Sequence, residues 1–462
     1  MRAVHALHSR PPMPRRVSAA VVSTVTFAMA PLLAACGGAE APPPPAMTSR
    51  GDDAGAPSTT PDASSAPDAS DAGSPPAPYP AFTPDMPQLI HHAGSTLKAP
   101  VIVTITGTDV SNADDYEKLG DAIGATEYWK AITSEYGVGP ATSGAANHVR
   151  MTTAMPDLSQ GTGLQDLITS GVRGQTTPKW PAPTDQTIYL LYTGSAGACA
   201  QGGAAFHDET TVDGMQVVFA VSSECAQSPF TALEAATIGA SHELGEASVD
   251  PHPETAPAWV GLSDDQLAWD LLQSFQDENG DMCEFYDDAY FVGSDPSLPF
   301  EVQRQWSNVA AAAGHAPCVP AAAGAYFNAT VLGARDALTA DLSSLVSMGA
   351  PVQPTVKTKG FAIGVGATRT LSVGLYSDAP ADAWDVAAIE IDPFDPNRSA
   401  FDAPATTTTL DLALDVARGK NGDTLTLTVT RKRATSARIA EILLVSSSGQ
   451  TKHYMPVLVG SP

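Results

Sequence analysis

From about residue 355 to its end, the chain places apolar residues at every second position. Phe361, Ile363 and Val365 begin the rhythm, and Leu371, Val373 and Leu375 continue it. Leu410, Leu412, Leu414 and Val416 repeat it, as do Leu425, Leu427 and Val429. Alternation of this kind puts the apolar set on one face of a strand, which must then be buried against a second layer. Asn421-Gly422 adds a hairpin-type turn signal. The spacing predicts a C-terminal β-sandwich of immunoglobulin-like type over 355–462. It holds no reactive grouping and reads as an accessory domain, with 321–354 as a connector.

Upstream the rhythm is different. Pro100-Val101-Ile102-Val103-Thr104-Ile105-Thr106 is β-branched and bounded by breakers, which predicts a strand. Tyr116, Leu119, Ile123, Tyr128 and Ile132 follow at roughly helical spacing, interrupted near Gly124. Further strands are expected over 147–153, 186–192 and 215–221, and helices over 163–172 and 230–249. This alternation predicts an α/β or α+β domain over 88–320.

The N-terminus is built for export. Arg2, Arg10, Arg15 and Arg16 precede an apolar stretch that ends in Leu33-Ala34-Ala35-Cys36-Gly37, with no acidic residue before Cys36. The stretch is short for a membrane span and reads as a signal peptide over 1–35. Leu-Ala-Ala-Cys resembles a bacterial lipobox, which implies lipidation of Cys36 with palmitate-type chains and attachment to a membrane, the outer membrane, facing periplasm or exterior. Residues 36–87 then form a Pro/Ala/Ser/Asp tether, including Pro42-Pro43-Pro44-Pro45 and two copies of Pro-Asp-Ala-Ser. Such a composition buries too little apolar surface to offset the entropy of ordering.

Lys and Arg number 24 against 50 Asp and Glu, a formal charge of −26. Loss of the four leader arginines leaves 20 against 50, or −30. A phosphate backbone would be repelled, so nucleic acid is excluded as a partner. A monomer is expected.

Five cysteines resolve into one plus four. With Cys36 taken by lipid, Cys199, Cys225, Cys283 and Cys318 remain in an oxidising compartment, which predicts two disulfides. Three pairings are open, and nearest neighbours favour Cys199–Cys225 and Cys283–Cys318. No C-x-x-C pair supports a four-cysteine zinc site.

The chemistry is concentrated in Ser241-His242-Glu243-Leu244-Gly245-Glu246-Ala247-Ser248-Val249-Asp250-Pro251-His252. Leu233, Thr237, Ala240, Leu244 and Ala247 form an apolar stripe, and His242 and Glu246, four apart, point together on the opposite face. Zinc hydrolases use two ligands one helical turn apart and a neighbouring carboxylate as general base. Here His242 and Glu246 are the expected ligands and Glu243 the base that deprotonates the metal-bound water. Glu246 stands where the usual motif has a second histidine, which adds negative charge and weakens the metal as a Lewis acid. The third ligand is expected from Asp250, His252, Glu278 or Asp281. Asp277-Glu278-Asn279-Gly280-Asp281 also reads as a calcium-type loop or an acidic turn.

His242-Glu243-Leu244-Gly245-Glu246-Ala247 with Asp250-Pro251, followed by Glu278-Asn279-Gly280-Asp281-Met282-Cys283, resembles secreted bacterial metallopeptidase-like proteins with H-E-x-x-E and a downstream G-D-x-C. Ser134-Glu135-Tyr136-Gly137-Val138-Gly139-Pro140, Phe206-His207 and Gln303-Arg304-Gln305-Trp306-Ser307 resemble segments of myxobacterial lipoproteins of that group. The layout over 88–320 is more distantly similar to the plant EXORDIUM, or phosphate-induced, proteins. The resemblance implies a metallopeptidase-like domain and places His207 in the same cleft; a loop histidine bonded to backbone is the plain alternative.

Two functions follow as expectations. The first is a zinc-dependent, peptidase-like enzyme on the cell surface, acting on a peptide. The second is a non-catalytic surface protein that binds a cell-wall polymer or a partner, as the plant relatives, which generally lack the His-Glu pair, suggest. No G-x-S-x-G elbow, P-loop or dinucleotide pattern competes.

Overall fold

The structure is a computed structural model describing residues 77–461, except 157–161, 195–198, 200–204, 227–228, 294, 334, 348–351 and 396–400. The leader, Cys36 and the tether up to residue 76 lie outside the described residues. No helix among those described is long and apolar enough to cross a membrane.

The first domain is built on five strands: β1 (Val101–Thr106), β2 (His148–Arg150), β3 (Thr187–Thr193), β4 (Ala205–Val212) and β5 (Met215–Ser223), in the order β2-β1-β3-β5-β4. All pairings are parallel except β4 with β5, a hairpin edge. Every residue of β3 is buried, as expected for a central parallel strand covered on both faces. Ile188, Leu190 and Tyr192 join one apolar cluster with Tyr116 and Leu119 of α1 (Ala113–Ile123) and Trp129 and Ile132 of α2 (Glu127–Thr133). Tyr189 and Leu191 pack on the other side with Leu164 and Ile168 of α3 (Gly163–Val172). The period-two alternation of the strand thus feeds two cores.

The motif helix α4 (Ala232–Val249) lies on the α1/α2 side, against β5 and β4. It starts with a capping box, Thr231 accepting from Glu234 N while Glu234 Oε2 accepts from Thr231 N. From Ala236 onward every residue is buried. The face carrying His242 and Glu246 is therefore covered, not solvated, because a second layer closes over it. That layer comprises α5 (Leu267–Leu272), α6 (Asp281–Glu284), the hairpin of β6 (Tyr290–Val292) and β7 (Glu301–Gln303), β8 (Gln305–Trp306), α7 (Asn308–Ala313) and β9 (Cys318–Val319). Gly245 makes the approach feasible, since any Cβ there would collide with the Gln305 amide, which donates to the Ser241 and His242 carbonyls at 3.0 Å each.

Both disulfides form with the nearest-neighbour pairing, Cys199–Cys225 and Cys283–Cys318. The second ties α6 to β9, inside the covering layer.

The C-terminal part is two sheets. One is antiparallel: β10 (Phe327–Leu332), β13 (Thr368–Ser377), β17 (Thr424–Arg431) and β15 (Leu410–Leu414). The other has β11 (Asp336–Asp341), β12 (Thr355–Ala362), β19 (Thr451–Gly460), β18 (Ile439–Ser448), β14 (Trp384–Ile391) and β16 (Arg418–Gly419), with β12–β19 its parallel pair. Val373, Leu375, Leu427 and Val429 meet Ile442, Leu444, Met455 and Val457 in one cluster. The first eight residues of β18 are all buried, because the first domain covers its outer face. Leu267 and Leu271 of α5 pack on Leu338, Ile439 and Leu458, and Phe285 stacks on Phe401 at 4.7 Å between centroids.

Two expected boundaries move. The connector 321–354 contains β10 and β11, whose polar alternates Asn328, Thr330 and Thr339 hid them as strands. The tether ends before residue 87: Asp85 pairs with Arg335 at 2.8 Å and Lys359 at 2.7 Å, Ala81 N donates to Asn421 Oδ1, and Met86 is buried. A few apolar and charged groups are enough to hold this segment against the second domain.

Candidate metal centre

The helical spacing sets the first pair. His242 Nε2 lies 3.0 Å from Glu246 Oε1, four residues on along α4. Asp281, at the start of α6, brings its Oδ1 to 3.5 Å from the same nitrogen. Donors bound at about 2.0–2.2 Å to one tetrahedral ion are separated by roughly 3.3–3.6 Å. The His242–Asp281 separation falls in that range, whereas His242–Glu246 is shorter, at hydrogen-bond length, and would open slightly around an ion. His242 Nδ1 donates to Gln303 Oε1 at 2.9 Å, while Gln303 Nε2 donates to the Gly280 carbonyl at 2.8 Å. An amide oxygen can only accept, so Nδ1 carries the proton of this contact and Nε2 is the nitrogen turned to the carboxylates, able to ligate an ion once its own proton is displaced.

Gly280 holds the loop close. A Cβ there would stand 2.6 Å from Glu246 Oε1 and 3.0 Å from the His242 ring. Without one, the Gly280 and Asp281 amides both donate to Glu246 Oε1 at 3.1 Å.

On the other side of Glu246 lies His207. It sits on β4, within the sheet edge rather than in a loop. Its Nδ1 is 3.4 Å from Glu246 Oε2 and 3.4 Å from Glu243 Oε2, and its Nε2 is 3.7 Å from Glu278 Oε1. Glu243 thus lies between the histidines, its other oxygen 3.9 Å from His242 Nε2. Both residue groups, His242–Glu246–Asp281 and His207–Glu246–Glu278, have the composition and closeness to hold a metal ion, and nothing in them singles out zinc.

Of the four candidates for the third ligand, Glu278 and Asp281 enter the site. Asp250 does not: its Oδ1 accepts from Ala258 N at 2.6 Å, and only its backbone carbonyl faces His207 Nε2, at 3.3 Å. His252 is also elsewhere, its Nδ1 on Glu209 Oε2 at 2.9 Å. The helix stops at Asp250 before Pro251, so the chain turns away and the one-turn register is lost.

The charges are out of balance. Burial alone would depress both histidines, but Glu278, Glu243 and Glu246 around His207, and Glu246, Glu243 and Asp281 around His242, hold them well above the ordinary value. Burial lifts Glu243 to about 7 and raises Glu278 and Asp281, while the two histidines outweigh burial at Glu246 and lower it. Glu284, which the sequence reading passed over, is lifted to about 8 by burial and by Asp281. No Lys or Arg makes an ion pair with these carboxylates among the described residues, so protons or a cation must supply the positive charge.

Residues 134–140 and 303–307 pack together beside α4. Tyr136 donates to the Trp306 carbonyl at 2.8 Å, Asn308 N donates to Glu135 Oε1, and Gln303 and Gln305 brace α4. No family model, curated protein or solved structure matches the chain.

Proposed function

We propose that the protein is a divalent-metal-dependent hydrolase of peptide bonds, held at a bacterial surface by lipid on Cys36. The observation that supports this best is the meeting of His242 Nε2, Glu246 Oε1 and Asp281 Oδ1, with the Glu243 carboxylate alongside. Zinc suits a donor set of imidazole and carboxylate and is the ion of choice for the reading. An ion held by His242, Glu246 and Asp281 would supply Lewis-acid polarisation of the scissile carbonyl and of the attacking water. Glu243 takes a proton from that water as its oxygen bonds to the carbonyl carbon, and delivers it to the amide nitrogen as the C–N bond breaks. The metallopeptidase-like first domain, held away from the membrane by the tether after Cys36, is then followed by an immunoglobulin-like accessory domain.

A second reading is favoured by burial. The side chains of Glu243 and Glu246 are only 5% and 2% exposed, and Asp281 and Glu278 reach 14% and 20%. A site this enclosed also suits a structural ion in a non-catalytic protein that binds a wall polymer or a partner.

Metal analysis of the full chain separates these. The hydrolase reading expects stoichiometric metal that is lost in His242→Ala, with cleavage of an unstructured protein substrate abolished in Glu243→Gln. Metal bound by the wild type and by Glu243→Gln, with no cleavage by the wild type, favours the second reading. Absence of metal from the wild type after incubation with zinc or manganese ends both.

A further inference from the structure

The two residue groups share one carboxylate. Glu246 turns Oε1 toward His242 Nε2 at 3.0 Å and Oε2 toward His207 Nδ1 at 3.4 Å. A carboxylate with a histidine at each oxygen, and a further carboxylate beside each histidine, has the layout of a bridge between two ions. From this geometry we infer a dinuclear centre: one divalent ion on His242, Glu246 and Asp281, and a second on His207, Glu246 and Glu278. The inference rests on the metal reading above and extends it from one ion to two.

Three observations carry it. The first is the orientation of the histidines. Each has one ring nitrogen against a neutral acceptor, His242 Nδ1 on Gln303 Oε1 and His207 Nε2 on the Asp250 carbonyl, at 2.9 and 3.3 Å. His242 thereby turns Nε2 to Glu246 and Asp281, the arrangement by which proteins fix a metal-ligating imidazole. His207 turns Nδ1 to Glu246 and Glu243, with Glu278 Oε1 3.7 Å from its Nε2.

The second is charge. Glu243, Glu246, Glu278 and Asp281 lie close together, and when ionised around bound metal they carry four negative charges, with the histidines neutral as ligands. One divalent ion leaves two charges uncompensated, whereas two balance the four. Buried carboxylates without compensation are among the costliest groups a fold can hold. The third is spacing. Bridged hydrolytic centres place their ions about 3.5–4 Å apart, which a single carboxylate spans. Glu243, with one oxygen near each histidine, is placed to serve a water held between the ions.

The donors are nitrogen and carboxylate oxygen, without thiolate, so zinc, manganese and iron(II) are the ions to test. The full-length protein is stripped with chelator and titrated with Mn(II), following bound metal by equilibrium dialysis and the spin state by electron paramagnetic resonance. The wild type is expected to bind two equivalents with an exchange-coupled signal. His207→Gln and Glu278→Gln, each checked for an unchanged circular dichroism spectrum, should bind one equivalent with an uncoupled six-line signal. A wild type that takes one equivalent, unchanged in both variants, overturns the dinuclear centre and leaves the mononuclear reading standing. A wild type that takes none overturns both. Should one variant misfold, the other carries the comparison, since His207 lies on β4 and Glu278 in the loop before α6.

Discussion

The Gln303 side chain joins His242 to the loop before α6, accepting from His242 Nδ1 at 2.9 Å and donating to the Gly280 carbonyl at 2.8 Å. The relation couples two of the elements that supply metal donors, and it turns His242 Nε2 toward the carboxylates. Gln303→Ala should leave the fold intact and weaken metal affinity by about 10–100-fold. Competition titration with a chromophoric chelator measures it, and an unchanged affinity would mean that α4 packing alone orients the ring. Gln303→Glu, which keeps the acceptor, should recover most of the loss.

Why this residue escaped the sequence reading is physical. Gln303 lies 61 positions from His242, is neutral, and belongs to a three-residue strand with no period to read. His242, Glu243 and Glu246 were legible because a helix fixes their spacing locally. Glu278 and Asp281 were legible as candidates, but choosing them over Asp250 and His252 requires knowing where the chain goes after Pro251. The burial of the motif face was hidden for a different reason. The helix itself is rich in Ala, Gly and Ser, which carry little hydrophobic signal yet admit close backbone packing. The C-terminal strands were read from period two and the first domain's β1 from a β-branched run bounded by breakers, whereas β10 and β11, carrying polar alternates, gave neither signal.

Close packing at Gly245 gives the next prediction. A methyl group there would meet the Gln305 amide, which holds the Ser241 and His242 carbonyls and accepts from Asn279 Nδ2 at 2.6 Å. Gly245→Ala gains helix propensity worth roughly 1 kcal/mol. Overpacking costs about 1–3 kcal/mol and sets β8 off the helix. The net expectation is destabilisation, with the midpoint of urea unfolding falling. A midpoint at or above that of the wild type would show that Gln305 can withdraw without loss.

The Cys283–Cys318 disulfide closes a loop of 35 residues that includes β6, β7, β8 and α7. Replacing both cysteines by serine should lower stability by roughly 2–4 kcal/mol. Asp281 is two residues from Cys283, so metal affinity should fall alongside stability. Loss of the other pair, Cys199–Cys225, ties only the region around the end of β5 and should spare the Asp281 ligand. Thermal unfolding with and without metal, on both double variants, makes the comparison; equal effects on affinity would sink the assignment.

The last expectation concerns pH and a carboxyl outside the metal triad. Asp270 on α5 is 8% exposed, and burial, followed by the nearby Asp277 and Asp264 carboxylates, pushes it up to about 9. In the unfolded chain it titrates near 3.9. Between these values the folded protein binds the proton and the unfolded chain does not. Stability contributed at this site is therefore full below about pH 4 and is lost progressively as pH rises toward about 9. Asp270→Asn, which keeps the shape but cannot ionise, removes the dependence. The variant should melt at the wild-type temperature near pH 4 and several degrees above it at pH 8. If the two melting curves separate in the opposite direction, with the variant weaker at pH 8, then Asp270 is ionised in the fold and held by a cation, and the acidic loop before α6 would bind one more ion than the geometry around His242 and His207 requires.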